Sequence, residues 1–176
     1  MRYENREYPF RTSPELKGED PGRYPVAIVG AGPIGMAMAI DLALKGIRSV
    51  ILDDNNVVSV GSRAICWAKR TLEIFDRLGI GDKMLEKGVT WKVGRLFHGD
   101  QEVYNFDLLP DDAHKMPAFV NLQQYYVEEY LVDRIADFPD LIDLRWLSKV
   151  TGDDIADDAV TLHVETSEGN YDLTAE

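Results

Sequence analysis

The amino-acid sequence predicts an α/β protein: a Rossmann-like βαβ unit carrying an antiparallel β hairpin insertion and closed by a β meander. Three observations predict it. Val26-Ala27-Ile28-Val29 and Ser49-Val50-Ile51-Leu52 are short apolar runs, as expected of parallel strands buried on both faces. Gly30-Ala31-Gly32-Pro33-Ile34-Gly35 follows the first run at once and opens a helix with small residues at Ala37 and Ala39. From Thr90 the apolar residues change from helical spacing to alternation, which marks strands.

Residues 1–24 are polar, with Pro9, Pro14, Pro21 and Gly22 and no sustained period, and read as a lead-in arm. In the turn that follows, each glycine has its own physical task. Gly30 permits the tight turn, Gly32 lets backbone approach a pyrophosphate with no Cβ in the way, and Gly35 lets the helix lie close to the strand. Pro33 suits a first helical turn, where its missing N–H is no loss, and Gly46 is placed to stop the helix. Asp53 ends the second strand 23 residues after Gly30, close to the ~20-residue interval at which a carboxylate reaches the ribose of a dinucleotide. Asp54 stands beside it, and position alone does not choose between the two. The competing reading of either acid is a solvated turn residue.

A loop, Asn55 to Ser62, comes next. Ala64 to Leu78 has helical spacing, with Ala68, Leu72, Phe75 and Leu78 on one face and Gly79 as the stop; Asp82 to Lys87 is a shorter helix ended by Gly88. Trp91, Val93, Leu96-Phe97 and Val103-Tyr104-Asn105-Phe106 flank His98-Gly99-Asp100-Gln101 in the manner of a hairpin. Pro110 to Pro117 is a polar loop. Asn121 to Phe138 is helical, its buried stripe formed by Val127, Leu131, Ile135 and Phe138, and Leu141 to Val150 is apolar enough for a third parallel strand. Val160, Leu162 and Val164 alternate in the next strand, and Tyr171 and Leu173 in the last. Because three parallel strands leave a long edge, this last strand is expected to hand over to another, and the chain reads as an incomplete domain. The expected organisation is an arm over 1–24, the first part of the nucleotide-binding domain over 25–90, an insertion over 91–120, and its second part over 121–176.

The formal charge is −12, and residues 137–176 carry eleven acids against Arg145 and Lys149. Such a field repels phosphate backbones and disfavours nucleic-acid binding; an anionic dinucleotide then needs local donors, namely helix N-terminal amides and a placed arginine. The apolar runs are far short of a membrane span, and the first six residues lack the core of a signal peptide, so a cytoplasmic location is expected. Cys66 is the sole cysteine, which excludes an internal disulfide or a multi-thiolate metal site and reads as a small buried residue on a helix. His98 and His114 sit in loop-like surroundings and His163 shares a solvent face with Thr161 and Glu165, so no histidine is a strong catalytic candidate and no metal is expected.

Gly61-Ser62-Arg63-Ala64-Ile65 lies just past the second strand and opens the next predicted helix. An arginine there can make a charge-assisted contact to a pyrophosphate, whereas a surface arginine would be slightly disfavoured by the helix dipole. Gln124 falls in the first turn of the later helix, where position alone makes it an ordinary polar residue. Taken together, the glycine turn with Pro33, the acid after strand two, Gly61-Ser62-Arg63-Ala64 and Gln124-x-x-Val127-Glu128-x-x-Leu131 resemble the N-terminal part of the FAD-dependent aromatic hydroxylases. These are single-component flavoprotein monooxygenases of the p-hydroxybenzoate hydroxylase fold, and the likeness is to their 3-(3-hydroxyphenyl)propionate hydroxylase-like branch. The resemblance covers about residues 24–176. It implies FAD as cofactor, NADH or NADPH as cosubstrate, a small phenolic substrate, and hydroxylation by O2 through a flavin C4a-hydroperoxide. It also implies that Asp53 holds the adenosine ribose, Arg63 contacts the FAD phosphate and ribityl region, and Gln124 contacts the pyrophosphate side. Asp53 departs from the family, whose ribose acid is usually glutamate. The family's later Asp-Gly and Gly-Asp motifs fall outside these residues, and Trp91 to Val120 matches the first strands of its substrate domain. Activity is accordingly expected of the full-length parent and not of the 176 residues alone; a homo-oligomer is left open. Two alternatives stand beside this reading: a related FAD oxidoreductase or halogenase acting on a non-aromatic substrate, and a module that only binds nucleotide.

Overall fold

The computed structural model describes residues 4–61, 63–109 and 113–176. After a single 3-10 turn at Glu15–Lys17, the elements in chain order are β1 (Val26–Val29), α1 (Pro33–Ala43), β2 (Ser49–Leu52), β3 (Cys66–Ala68), α2 (Lys69–Arg77), α3 (Gly81–Lys87), β4 (Val89–Trp91), β5 (Val93–His98), β6 (Gln101–Asp107), β7 (Phe119–Asn121), α4 (Gln124–Ile135), β8 (Ile142–Arg145), β9 (Lys149–Ile155), β10 (Val160–Thr166) and β11 (Gly169–Ala175). They form two compact units, Met1–Val60 with Leu131–Glu176, and Gly61–Tyr130.

The first unit is the α/β layer that the sequence predicts. β1, β2 and β8 make a parallel sheet in the order β1-β2-β8, with Val26 opposite Ser49 and Ser49 opposite Ile142. The right-handed crossover rule for parallel strands puts a helix over the face, and α1 supplies it through the buried stripe Met36, Ala39, Ile40 and Ala43. On the opposite face, Val50 and Leu52 pack with Leu162, Val164, Tyr171 and Leu173 of the antiparallel sheet β9-β10-β11 and with Tyr24. Alternation in β10 and β11 sends these four residues inward and His163 and Asp172 outward.

Arg145, the last residue of β8, is buried under this sandwich with its side chain 4% exposed. Its guanidinium donates to Glu15 Oε2 at 2.9 Å, Tyr24 Oη at 2.8 Å, Tyr171 Oη at 3.1 Å and, through Nε, Asp143 Oδ2 at 2.9 Å. Tyr24 Oη in turn donates to Asp143 Oδ2 at 2.9 Å. Burial, reinforced by the Asp143 charge, pushes the Tyr24 hydroxyl up to about 12.

The second unit contains a three-stranded antiparallel sheet of order β3-β7-β4, the helices α2 and α3, and the separate β5–β6 hairpin. Trp67 Nε1 donates to the Leu122 carbonyl at 2.7 Å, and the Trp91 ring stacks on Phe119 at 4.8 Å. In the hairpin, Leu96, Phe97, Val103 and Tyr104 are all at least half exposed.

Several elements differ from the sequence reading. The helix predicted over Ala64 to Leu78 starts only at Lys69, because Cys66–Ala68 pairs with Phe119–Asn121 as β3; Cys66 is therefore an exposed strand residue and not a buried helical one. Gly61 to Ile65 opens no helix, and Arg63 lies in a bend; Ser62 falls outside the described residues. Asn121 ends β7, so the helix expected from Asn121 to Phe138 is Gln124–Ile135, although Val127, Leu131 and Ile135 are buried as its spacing demands. The strand expected over Leu141 to Val150 is split by Leu147, whose φ of 55° turns the chain after β8 and sends Lys149 and Val150 into β9. β1 is not buried on both faces: it sits at an edge of the three-stranded sheet and Val29 is 61% exposed. The arm is only partly a lead-in, since Ser13 and Tyr24 are buried and Tyr24 pairs with Ala175. Of the loop predicted over Pro110 to Pro117, residues 110–112 lie outside the described set, and Met116 is buried.

Replacing Arg145 by Met should leave the Glu15 carboxylate, 10% exposed, without its cation and the half-buried Asp143 carboxylate beside an apolar chain. Removing one partner of a buried ionic network costs about 3–5 kcal/mol. Urea unfolding of Arg145→Met should show a loss in that range, and a change below about 1 kcal/mol would place Arg145 among surface ion pairs.

Candidate nucleotide site

The glycine turn leaves β1 with Gly30 at φ 107°, and its N–H donates to the Leu52 carbonyl at 2.7 Å. α1 then begins at Pro33 with Gly32 as its cap residue, and its first internal bond runs from Met36 N–H to the Gly32 carbonyl at 3.0 Å. The amides of Ile34 and Gly35 precede that bond, and no side chain among the described residues caps the helix. Such an end presents N–H donors and the positive pole of the helix dipole to an anion.

The three glycines differ in their surroundings. A Cβ added at Gly35 would run into the Gly30 carbonyl oxygen and lie 3.1 Å from Ile28 Cγ2, whereas one added at Gly32 would meet nothing within 4 Å. Gly35 is thus held by packing, and Gly32 fronts open space beside the helix start. That space, at the end bearing the free amides, fits the diphosphate of a dinucleotide.

Asp53 lies at the C-terminal end of β2 with its carboxylate facing the turn. Oδ2 accepts from Ala31 N–H at 2.6 Å, and Oδ1 accepts from Asn55 N–H at 2.9 Å. Asp54 is exposed, and its Oδ1 accepts from Asn55 Nδ2 at 2.8 Å. The geometry separates the neighbours that the sequence could not: Asp53 faces the glycine turn and also accepts from the Asn55 backbone, whereas Asp54 is bonded to the Asn55 side chain.

Beside them is a hollow of about 210 Å³ lined by Val29, Gly30, Leu52, Asp53, Asp54, Ser148, Lys149 and Val150. Larger hollows of about 530 and 650 Å³ occur in the same unit but lie away from the glycine turn. Chemistry favours the smaller one, because ligands of open α/β sheets bind beyond the carboxyl ends of the strands. Ser148 and Lys149 were not legible as site residues; the signal was their place just past the third parallel strand. Ser148 N–H donates to the Asp53 carbonyl at 2.8 Å, fixing this wall to the acid's own backbone.

Arg63 and Gln124 belong to the second unit. Arg63 is exposed. Its neighbour Ala64 is clamped to Gln124 twice: Gln124 N–H donates to the Ala64 carbonyl at 3.0 Å, and Ala64 N–H donates to Gln124 Oε1 at 3.2 Å. Leu122 N–H to the Ile65 carbonyl, at 2.7 Å, continues the same pairing. The structure therefore gathers Gly30, Gly32, Pro33, Gly35 and Asp53 around one turn, with Asp54 adjoining, and gathers Arg63 and Gln124 around another.

His98 and His114 are exposed. His163 is half-buried, and its ring is held between Asp172 Oδ1 at 2.8 Å and Asp154 Oδ2 at 3.1 Å. Among the described residues, no group of three or more His, Cys, Asp or Glu side chains is placed to hold a metal ion, and no helix is long and apolar enough to cross a membrane.

Comparison with known proteins shows the family to which the chain belongs. The FAD binding domain family matches residues 23–176, and the chain belongs to that family. It is 30% identical over 147 residues to a flavin-dependent monooxygenase of Mycobacteroides abscessus, covering 79% of this chain and 30% of that protein. It is 28% identical over 140 residues to a 3-(3-hydroxy-phenyl)propionate/3-hydroxycinnamic acid hydroxylase of Mycobacterium sp. strain JLS, covering 80% and 24%. Among solved structures, p-nitrophenol 4-monooxygenase of Pseudomonas putida DLL-E4 superposes with a TM-score of 0.79 at 29% identity, covering 87% of this chain and 39% of that one. The chain thus spans between a quarter and two fifths of the length of these relatives.

Two predictions follow from the geometry. Gly35→Ala should destabilise the fold by about 1–3 kcal/mol through overpacking, while Gly32→Ala should cost under about 1 kcal/mol; equal losses in urea unfolding would remove the distinction drawn between them. The bond to Asp172 and the nearby Asp154 raise the His163 pKa above its ordinary 6.5. Its stabilising contribution should be complete below pH 6.5 and fade as pH rises through the raised folded value. The ring proton shifts should titrate above 6.5, and His163→Gln should flatten that part of the stability profile; a midpoint at or below the ordinary value would refute the aspartate contacts.

Proposed function

We propose that this chain is the FAD-holding part of an NAD(P)H-dependent monooxygenase that hydroxylates a phenolic ring with O2. The observation that carries the reading is the open space at Gly32 beside the uncapped start of α1, with Asp53 turned toward the same loop. In this reading Gly30, Gly32, Pro33 and Gly35 shape the turn that receives the FAD diphosphate, with α1's first amides as donors. Asp53 takes the adenosine ribose, with Asp54 adjoining; Ser148 and Lys149 wall that end. Arg63 adds a fixed positive charge for the diphosphate and ribityl region, and Gln124 holds the loop that carries it.

The flavin supplies the redox chemistry that activates oxygen, so the protein needs no side-chain nucleophile. What this chain's residues contribute is binding and orientation. A dinucleotide brings two negative charges to a chain of net charge −12, and the α1 amides and Arg63 offset that unfavourable field locally. Residues 91–120 begin the substrate domain in this reading, and the similarity to a hydroxyphenylpropionate hydroxylase and a nitrophenol monooxygenase favours a phenolic substrate.

The test is flavin binding followed by turnover, in the complete reading frame. Gly32→Val should abolish FAD binding with the fold retained, because the branched side chain fills the diphosphate space. Arg63→Ala should weaken binding by about 1.5–3 kcal/mol, or roughly 10- to 150-fold in Kd. NAD(P)H oxidation should be slow alone and accelerate with a hydroxyphenylpropionate, with matching oxygen uptake and hydroxylated product. Retained flavin in Gly32→Val would make the turn purely structural, and turnover without oxygen incorporation would move the assignment to a non-hydroxylating flavoprotein.

A further inference from the structure

Glu128 is 2% exposed, one of the few buried charged side chains among the described residues, and stands one turn along α4 from Gln124. Its Oε1 accepts from Gln124 Nε2 at 2.7 Å, while the other end of the same amide, Gln124 Oε1, accepts from Ala64 N–H. The two orientations of that amide are not equivalent. A carboxylate oxygen is an acceptor and a backbone N–H a donor, so inverting the amide would set oxygen against oxygen at Glu128 and N–H against N–H at Ala64. Each of the two bonds therefore enforces the other. Burial raises the stakes, because a polar group left unpaired away from water costs more than an exposed one.

We propose that Glu128 is a positioning residue for flavin binding: by holding the Gln124 amide in one orientation it pins Ala64, and so fixes how the neighbouring Arg63 is presented to the diphosphate. The proposal rests on the reading of Arg63 as an FAD contact. It also gives Gln124 a specific task, since its side-chain oxygen accepts from the loop backbone.

The experiment compares Glu128→Met, which keeps length and apolar volume but offers no oxygen, with Glu128→Gln, which restores an acceptor. Both are made in the complete reading frame, alone and combined with Arg63→Ala. Hydrogen exchange of the Ala64 amide and FAD titration are the two readouts. In Glu128→Met, Ala64 exchange should rise and the FAD Kd should rise about 10-fold, the equivalent of one charge-assisted bond; Glu128→Gln should recover most of both. In the Arg63→Ala background the Met substitution should add little, because the two act in series. Unchanged Ala64 exchange in Glu128→Met would overturn the clamp. Fully additive losses with Arg63→Ala, or a Gln variant as impaired as Met, would reduce Glu128 to a packing residue. Absence of FAD binding in the unaltered protein would instead overturn the flavin reading, and the exchange measurement would still decide whether Glu128 holds the loop.

Discussion

The buried Arg145 guanidinium is the constraint on which the first unit turns. A cation this far from water survives only if its donors are matched, and the matching groups come from four places in the chain: Glu15 in the arm, Tyr24 before β1, Asp143 in β8 and Tyr171 in β11. The arm is thereby fastened to the parallel sheet and the meander. The same residue reaches the site through its backbone, since the Arg145 carbonyl accepts from Asp53 N–H at 3.0 Å. Arg145 thus ties the layers together through its side chain and holds the backbone of Asp53, at the end of the neighbouring strand β2, through its carbonyl.

The glycine turn illustrates how one motif holds residues with unlike jobs. Gly35 answers to packing against the turn it follows and Gly30 to a positive φ, while a Cβ at Gly32 would meet only open space. Asp53 adds a fourth role. By accepting from Ala31 N–H it braces the turn from the neighbouring strand, so the carboxylate that would bind ribose also steadies the loop that would bind phosphate. Such support keeps a binding loop in its working geometry without burying the loop itself.

What was legible in the sequence was what is local. The two apolar strands, the glycine turn, α1, the buried stripe of α4 and the β5–β6 hairpin all follow from short-range periodicity and turn chemistry. The errors lie where a distant partner decides. Cys66–Ala68 has a helical neighbour on its C-terminal side, yet pairing with Phe119–Asn121 makes it a strand. Arg145 read as one of two bases in an acidic tail, because its partners lie up to 130 residues away. Gln124 looked ordinary because its meaning depends on Ala64, 60 residues earlier. Asp53 and Asp54 became distinguishable only once the direction of each carboxylate was fixed in space.

The parallel pairing of β2 with β8 has a consequence for how the chain comes together. The strands are neighbours in the sheet, but 89 residues separate Leu52 from Ile142, and they include the whole second unit. Contacts of that sequence separation form late, after local ones. During synthesis β1, α1 and β2 leave the ribosome before the second unit, and one edge of β2 waits unpaired until β8 has emerged. The nascent nucleotide-binding half is therefore exposed to wrong strand pairing for longer than the hairpin or the meander, whose strands meet within a few residues of one another.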